Sequence, residues 1–460
     1  MRKEKDTLGE VEVPDQAYYG VQTARAVANF PISGIKPYPV FIRASAMIKW
    51  AAAQANMACG KLDKRIGKAV VKAAEQVVAG KWNDQFVVDV FQAGAGTSHN
   101  MNTNEVIANL AILSLGGKRG EYKIVHPNDH VNMSQSTNDV FPTAMRVAAL
   151  LQLTPLDAAL SRLEKVFASK AKEFDGIVKS GRTHLQDAVP VRLGQEFAAY
   201  ARAIRQAAKR VRDAKESLKE LGIGGSAVGT GINTHPDYQR KVVRFLSKIS
   251  GLALIPGKNL FERMQSMADL VEISGSLREL AIELIRIAND LRLLSSGPRT
   301  GFAEIALPPV QPGSSIMPGK VNPVMAEVTN MVCFHVMGND LTISMAAQAG
   351  QMELNVMMPV INYNLIQSIE ILTSTVTLFA DRCVMGITAN RERCQELADK
   401  SIGLATILNP SIGYEAAASV AKEAMTTGKS LRQVVIERGI LSKEEVDRVL
   451  DPSSMTEPST

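Results

Sequence analysis

Two stretches of the chain repeat their apolar residues every seven positions. In the first, Phe197, Ile204, Val211 and Leu218 recur, with Tyr200, Ala207, Ala214 and Leu221 three positions later. In the second, Leu270, Leu277, Leu284 and Leu291 recur, with Ile273, Leu280, Ile287 and Leu294 in the second register. A seven-residue period with a companion register is the seam of a long helix, and two such helices are expected to pack nearly antiparallel. Less regular helical patterns over 143–173, 324–348 and 359–384 make about five long helices between residues 140 and 390. At the helical rise, an element of roughly 25 residues is about 37 Å long, which predicts an elongated bundle whose seams continue between subunits. Gly- and Pro-rich segments between the helices argue against a continuous coiled-coil rod.

Ahead of the bundle lies a mixed segment with helical patterns near 40–58, 64–79 and 102–115. Behind it come shorter helices and the polar stretch Pro452 to Thr460, for which disorder is expected. The expected fold is all-α: a central helix-bundle domain, 136–390, flanked by smaller, mainly helical N-terminal (1–135) and C-terminal (391–460) domains. Composition agrees. Aromatics are only 5% while aliphatic residues abound, which favours helices packed through aliphatic side chains over a sheet-rich fold.

Charge narrows the function classes. The net charge of +6 comes from Lys and Arg interleaved with Asp and Glu along helical stretches such as 202–220, a solvated face and not a nucleic-acid footprint. A modest positive balance suits a small dianionic substrate. Cys59, Cys333, Cys383 and Cys394 show neither CxxC nor Cys/His ligand spacing, so no metal site, disulfide framework or cofactor is expected, and reduced thiols fit a cytoplasm. Residues 1–6 have no apolar signal region, and the least charged stretch, Leu354 to Ile369, is interrupted by polar residues and Pro359. It reads as core, with no membrane partner.

Four polar segments interrupt the apolar helical pattern. In Gly94-Ala-Gly-Thr-Ser98, continuing to Glu105, Asn102 and Glu105 have capping-box spacing, Thr97 falls on the preceding loop, and the paired glycines suggest close backbone approach to a ligand. Ser136-Thr-Asn138, leading toward a helix after Pro142, offers two hydroxyls and an amide, either a carboxylate cradle or a redundant cap. His126 and His130 nearby lack a metal-ligand cluster and read as structural. In Ser180-Gly-Arg-Thr-His184, His184 beside Thr183 could bind substrate or shuttle a proton, although a lone histidine is more often structural.

The fourth segment, Gly313-Ser-Ser-Ile-Met-Pro-Gly-Lys-Val-Asn-Pro323, places a candidate proton abstractor, a cation and an amide on one glycine-hinged loop opening a helix. Asn322 before Pro323 reads as N-cap and first helical residue, with Lys320 where free N–H groups favour an anion. It lacks the serine-hydrolase elbow, and its glycines are spaced one residue too far apart for a P-loop. Gly222 to Gly231 follows a helix, so it reads as a wide turn and not a dinucleotide site.

Together these segments resemble the aspartase/fumarase superfamily from Asp6 to about Glu457, and Gly313 to Pro323 matches its signature loop in full. Tyr18 to Thr23, Gly94 to Ser98, Pro127 to Asn132 and Ser136 to Asp139 are similar to the aspartase branch. Thr183 to Gln186, Asn233 to Tyr238, and Met358 where aspartases usually have Glu lean toward class II fumarases, the alternative. The resemblance implies Ser314 as general base, removing a C3 proton to give an aci-carboxylate stabilised by Thr97, Ser136 and Thr137. It implies that Lys320, Asn322 and Thr183 hold the other carboxylate, that Asn138 and His184 face the departing amine, and that Glu327 orients His184. It implies reversible deamination of L-aspartate, or hydration of fumarate in the alternative, by a cofactor-independent homotetramer whose sites are shared between subunits.

Overall fold

The computed structural model describes residues 1–458. Among them the chain is overwhelmingly helical, and strand is confined to four two-stranded pairings. The chain divides into two compact units: Met1–Asp157, Lys209–Ala281 and Phe334–Thr373 form the first, and Ala158–Ala208, Ile282–Cys333 and the chain from Ser374 onward form the second.

The chain begins with the antiparallel strands β1 (Arg2–Asp6) and β2 (Gly9–Val13), then α1 (Val21–Asn29), α2 (Pro39–Ala58), α3 (Lys64–Val78) and α4 (Thr97–Ser114). Asp63 caps α3 by accepting from Arg65 N and Ile66 N. Helix α4 begins at Thr97, five residues before the sequence pattern suggests, so Thr97 is helical and Asn102 and Glu105 are interior. The reason is that their polar atoms are used across the fold. Asn102 accepts from Val87 N and donates to Gln85 O, while Glu105 accepts from Gly20 N, Gln22 N, Thr23 N and Thr23 Oγ1, bridging to α1.

Helix α5 (Thr137–Glu173) also starts early, running through Pro142 and Pro155. Pro142 has no N–H to give to the carbonyl four residues back, that of Asn138 in the first turn. There follow the hairpin β3 (Val178–Thr183) and β4 (Gln186–Arg192), then α6 (Leu193–Ala214), which tightens to a 3₁₀ turn over Lys215–Lys219. The heptad seam therefore outlasts the α-helix, yet all eight of its residues are buried. Strand β5 (Glu220–Leu221) pairs in parallel with β6 (Ile255–Pro256), between which lies α7 (Tyr238–Ser250); α8 (Leu260–Gln265) leads to α9 (Ala268–Leu294), whose eight seam residues are likewise buried.

Contacts between α6, with its 3₁₀ extension, and α9 run in opposite chain directions, as expected of antiparallel neighbours. In the first unit Ser217 Oγ donates to Glu272 at 3.1 Å and Arg210 pairs with Glu279 at 2.7 Å; in the second, Tyr200 donates to Asp290 at 3.1 Å. Within the first unit, buried Arg146 of α5 grips buried Asp269 of α9 through Nε at 2.7 Å and Nη2 at 3.0 Å.

Strand β7 (Ile305–Ala306) precedes α10 (Val324–Gln348) and α11 (Met358–Arg382), and pairs with β8 (Thr388–Ala389). The stretch expected to be core is core: Met358, Ile361, Leu365, Ile366 and Ile369 are all buried, and no helix of the described residues is long and apolar enough to cross a membrane. The shorter helices α12 (Arg391–Lys400), α13 (Asn409–Ile412), α14 (Tyr414–Thr427), α15 (Leu431–Glu437) and α16 (Lys443–Val449) follow. Leu404, Leu408, Val420, Leu431, Val434 and Val446 form their apolar cluster, and Ser430/Gln433 and Ser442/Glu445 are full capping boxes. The polar end is ordered where disorder was expected: Pro452–Met455 form a 3₁₀ turn, Arg192 bonds Thr456 and Glu457, and Gln195 donates to Thr456 O. Side-chain anchors on β4 and α6 hold it, which its composition alone does not reveal. Ser459 and Thr460 lie outside the described residues.

Replacing Arg146 with Ala leaves a buried carboxylate without its principal partner. Chemical denaturation is expected to show a loss of about 3–5 kcal/mol; an unchanged midpoint would remove the pair from the fold determinants.

Candidate functional site

The loop 313–323 lies in the second unit and is closed at its base. Gly313 N donates to Lys320 O at 2.8 Å, and Asn322 Nδ2 donates to Gly313 O at 2.7 Å. A Cβ at Gly313 would lie 2.5 Å from Lys320 O, so this closure requires glycine, and Gly319 turns the loop with φ +79°. Asn322 is not the side-chain cap the sequence suggests. Among the described residues its Oδ1 accepts from no helix N–H, one of its two Nδ2 hydrogens is used across the loop, α10 begins at Val324, and the Asn322 and Pro323 carbonyls accept the first helical N–H groups.

Inside the closed loop, Ser314 Oγ accepts from Ile316 N at 3.3 Å and Met317 N at 3.0 Å. Two backbone donors on one hydroxyl oxygen stabilise negative charge there and lower its proton affinity. Lys320, Asn322 and Glu327 line a cavity of about 880 Å³ together with Asn289, Arg292 and Ser296. Thr183 and His184 sit at the exposed tip of the β3–β4 hairpin in the same unit. Among the described residues no hydrogen bond or ion pair joins His184 to Glu327.

Thr97, Ser136, Thr137 and Asn138 belong to the first unit. Thr97 borders a cavity of about 470 Å³ that Gln22, Arg25, His126 and Asn128 also line. The glycines before it are required by packing: a Cβ at Gly96 would fall 2.1 Å from the Phe141 ring, and one at Gly94 would lie 3.2 Å from Val356. Their signal in sequence is the same whether packing or a ligand requires them. His126 and His130 bond locally, His126 Nδ1 accepting from Asn128 N and Asp129 N, and His130 Nδ1 accepting from His126 N.

Ser136 caps α5, with Oγ accepting from Asn138 N and its own N–H donating to Asp139 at 2.9 Å. Asp139, wholly buried, also accepts from Gly224 N at 3.0 Å and Ser226 N at 2.9 Å, pinning the wide Gly222–Gly231 turn beside it. Asn138 Nδ2 donates to Ala227 O at 2.8 Å, leaving its Oδ1 as the free acceptor end. Thr137 Oγ1 accepts from Asn100 Nδ2 at 3.0 Å, so its own hydrogen remains available to an anion.

Behind Asn100 stands Lys49, also wholly buried, which donates to Asn100 at 2.7 Å, Asn132 at 2.9 Å and Gln135 at 3.0 Å. Burial pushes its ammonium down to about 7 and pushes Asp139 up to about 6, while their mutual attraction opposes both shifts. Sequence reasoning passed over Lys49. The signal was present: a lone charge inside the apolar run Ala44 to Ala53.

Residues 9–338 match the family model described as lyase, and residues 404–457 match the fumarase C C-terminus. An aspartate ammonia-lyase from a Bacillus species is 52% identical over all of this chain and 98% of its own length. A solved fumarate lyase:delta crystallin from Brucella melitensis is 50% identical, with a TM-score of 0.97 over 99% of this chain and 100% of that one. A class II fumarase from Schistosoma mansoni is 39% identical, with a TM-score of 0.96 over the whole of both chains. With most of its length inside the lyase model and its full length aligned to these relatives, the chain belongs to the aspartase/fumarase family of lyases.

Proposed function

We propose that this chain deaminates L-aspartate reversibly to fumarate and ammonia. The observation that carries the reading is its full-length, 52% identity to a relative named aspartate ammonia-lyase. Ser314 Oγ, having lost its own proton to solvent, takes the C3 proton and becomes a hydroxyl, and the electron pair of that C–H bond passes into the adjacent carboxylate, giving an aci-carboxylate with two negative charges. The pair then returns to form the C2–C3 double bond as the C2–N bond breaks, and the substrate ammonium leaves as neutral ammonia. Thr97, Ser136 and Thr137 donate to the doubly charged carboxylate, where preorganised donors lower the barrier most. The Thr137 hydroxyl, with Asn100 occupying its oxygen, is suited to this.

Lys320, Asn322 and Thr183 hold the other carboxylate, Asn138 and His184 face the ammonium, and Glu327 orients His184. The acceptor end of Asn138, left free by the Ala227 bond, suits an ammonium. The two N–H donors on Ser314 support its role as base.

We assign the working form as a homotetramer with sites shared between copies, as the resemblance to the aspartase/fumarase superfamily implies. The apolar face of α10 supports this: Met331, Phe334, Leu341 and Met345 are 64%, 59%, 62% and 58% exposed at helical spacing, a row of large apolar side chains of the kind that monomeric soluble proteins rarely leave to water. Buried, unpaired Cys333, Cys383 and Cys394 fit a reducing cytoplasm.

Hydration of fumarate to L-malate is the second reading, favoured by the Thr183 to Gln186 segment. The departure at Met358 weighs little, since that side chain is wholly buried core. Of two incubations, fumarate plus ammonium and fumarate alone in water, the first is expected to yield aspartate; malate without aspartate would reverse the assignment. Ser314→Ala is expected to lower kcat about a thousandfold with the oligomer intact, and unchanged turnover would refute Ser314 as base. Phe334→Glu is expected to shift sedimentation toward smaller species with loss of activity. An intact oligomer would redirect the interface to another face.

A further inference from the structure

The turn that carries His184 is one its residues disfavour. Thr183 pairs with Gln186, leaving His184 and Leu185 as a two-residue turn with φ +54° and +59°. Such turns ordinarily use Gly or Asn, because a side chain in the left-handed region crowds the backbone. Leu185 is 65% exposed, so burial does not compensate. Strained backbone of this kind persists only where surrounding structure over-determines it.

That structure lies immediately below the turn. Arg182 Nη1 donates to both carboxylate oxygens of Glu304, at 3.1 and 2.9 Å, and its guanidinium lies 4.2 Å from the Phe302 ring centroid. Lys179 Nζ reaches Glu196 at 3.0 Å and Glu304 at 3.5 Å, and donates to Ser180 O. Glu304 is wholly buried, and its backbone is fixed at both ends: its N–H donates to Leu294 O at 2.9 Å and its carbonyl accepts from Asn390 N at 2.9 Å. The hairpin register shifts between Ser180 and Arg182, where a Cβ at Gly181 would meet Val189 O at 2.4 Å. This irregularity brings Arg182 onto the carboxylate instead of letting it alternate outward.

We propose that Glu304, acting through Arg182, is a positioning residue that holds the His184–Leu185 turn in its disfavoured conformation and so fixes Thr183 and His184 for substrate. The inference rests on the reading of Thr183 and His184 as substrate-binding. Glu304 and Arg182 do not touch the reacting atoms. Their effect passes through the hairpin, so it disappears when the hairpin tip no longer contributes.

The test uses the full chain with L-aspartate as substrate, each variant checked for oligomeric state. Thr183→Ala and His184→Ala are each expected to lower kcat/KM. Glu304→Gln is expected to lower it by between about ten- and a hundredfold in the native background, but by less than about threefold in a background carrying both Thr183→Ala and His184→Ala, because coupled residues are not additive. Leu185→Gly gives the turn a residue that accepts its conformation without touching the clamp; KM is expected to hold, and the cost of Glu304→Gln in the Leu185→Gly background to fall below about threefold. If Thr183→Ala and His184→Ala leave kcat/KM unchanged, the underlying site reading fails. If they matter but Glu304→Gln costs the same factor in the native and the doubly substituted backgrounds, the positioning role is overturned. Should Glu304→Gln not fold, Arg182→Lys, which keeps the charge but loses the guanidinium on Glu304, takes its place, and an equal cost in both backgrounds overturns the proposal.

Discussion

Burial of two facing apolar seams is the constraint on which the rest of the structure depends. Along α6 with its continuation to Leu221, and along α9, sixteen seam positions are withdrawn from water. Each buried Leu, Ile or Phe contributes about 1.5–3 kcal/mol, so sliding one helix past the other by a turn would forfeit many contacts at once. The register is correspondingly firm, as the ordered series Tyr200–Asp290, Arg210–Glu279 and Ser217–Glu272 reflects. The chemically interesting segments are helix ends: Thr97 and Ser136–Asn138 at the starts of α4 and α5, and the 313–323 loop before α10. Free N–H groups at such ends favour anions.

A second layer of buried charge sets the orientation of the groups at those ends. Lys49 has three donors and meets three acceptors, one of which, Asn100, presents its amide to Thr137. Asp139 ties Ser136 to the turn at Gly224 and Ser226. Glu304 does the corresponding work below the hairpin. A buried ion is costly unless every polar atom finds a partner, so each of these groups admits few alternative arrangements. Their orientation is therefore inherited from packing and not chosen by the loop that displays the side chain.

Much of this was legible in the chain. The seams on α6 and α9 lie where the seven-residue period put them, and 324–348 coincides with α10, because long apolar periodicity survives any tertiary arrangement that buries one face. Local polar signals were less secure. Asn102 and Glu105 have the spacing of a capping box, but their side chains serve Val87, Gln85 and the start of α1, so α4 begins earlier. Asn322 gives one amide hydrogen to Gly313, and Pro142 does not delay α5, whose start Ser136 caps six residues earlier. Gly94 and Gly96 make room for Val356 and Phe141. In each case a polar or small residue had several possible partners, and local sequence could not rank them.

By itself the sequence determined the helical class, the two seams, and a signature loop whose glycines and serine narrow the chemistry to proton removal from an anion. Periodicity and backbone permissiveness are properties of neighbouring residues, and they are written locally. Only the tertiary structure decided that Ser314 Oγ faces two backbone donors, that Lys49 stands behind Thr137, and that Arg182 meets Glu304 beneath a left-handed turn. Hydrogen bonds and ion pairs of that kind join residues far apart in the chain, and their strength depends on burial that no single segment carries.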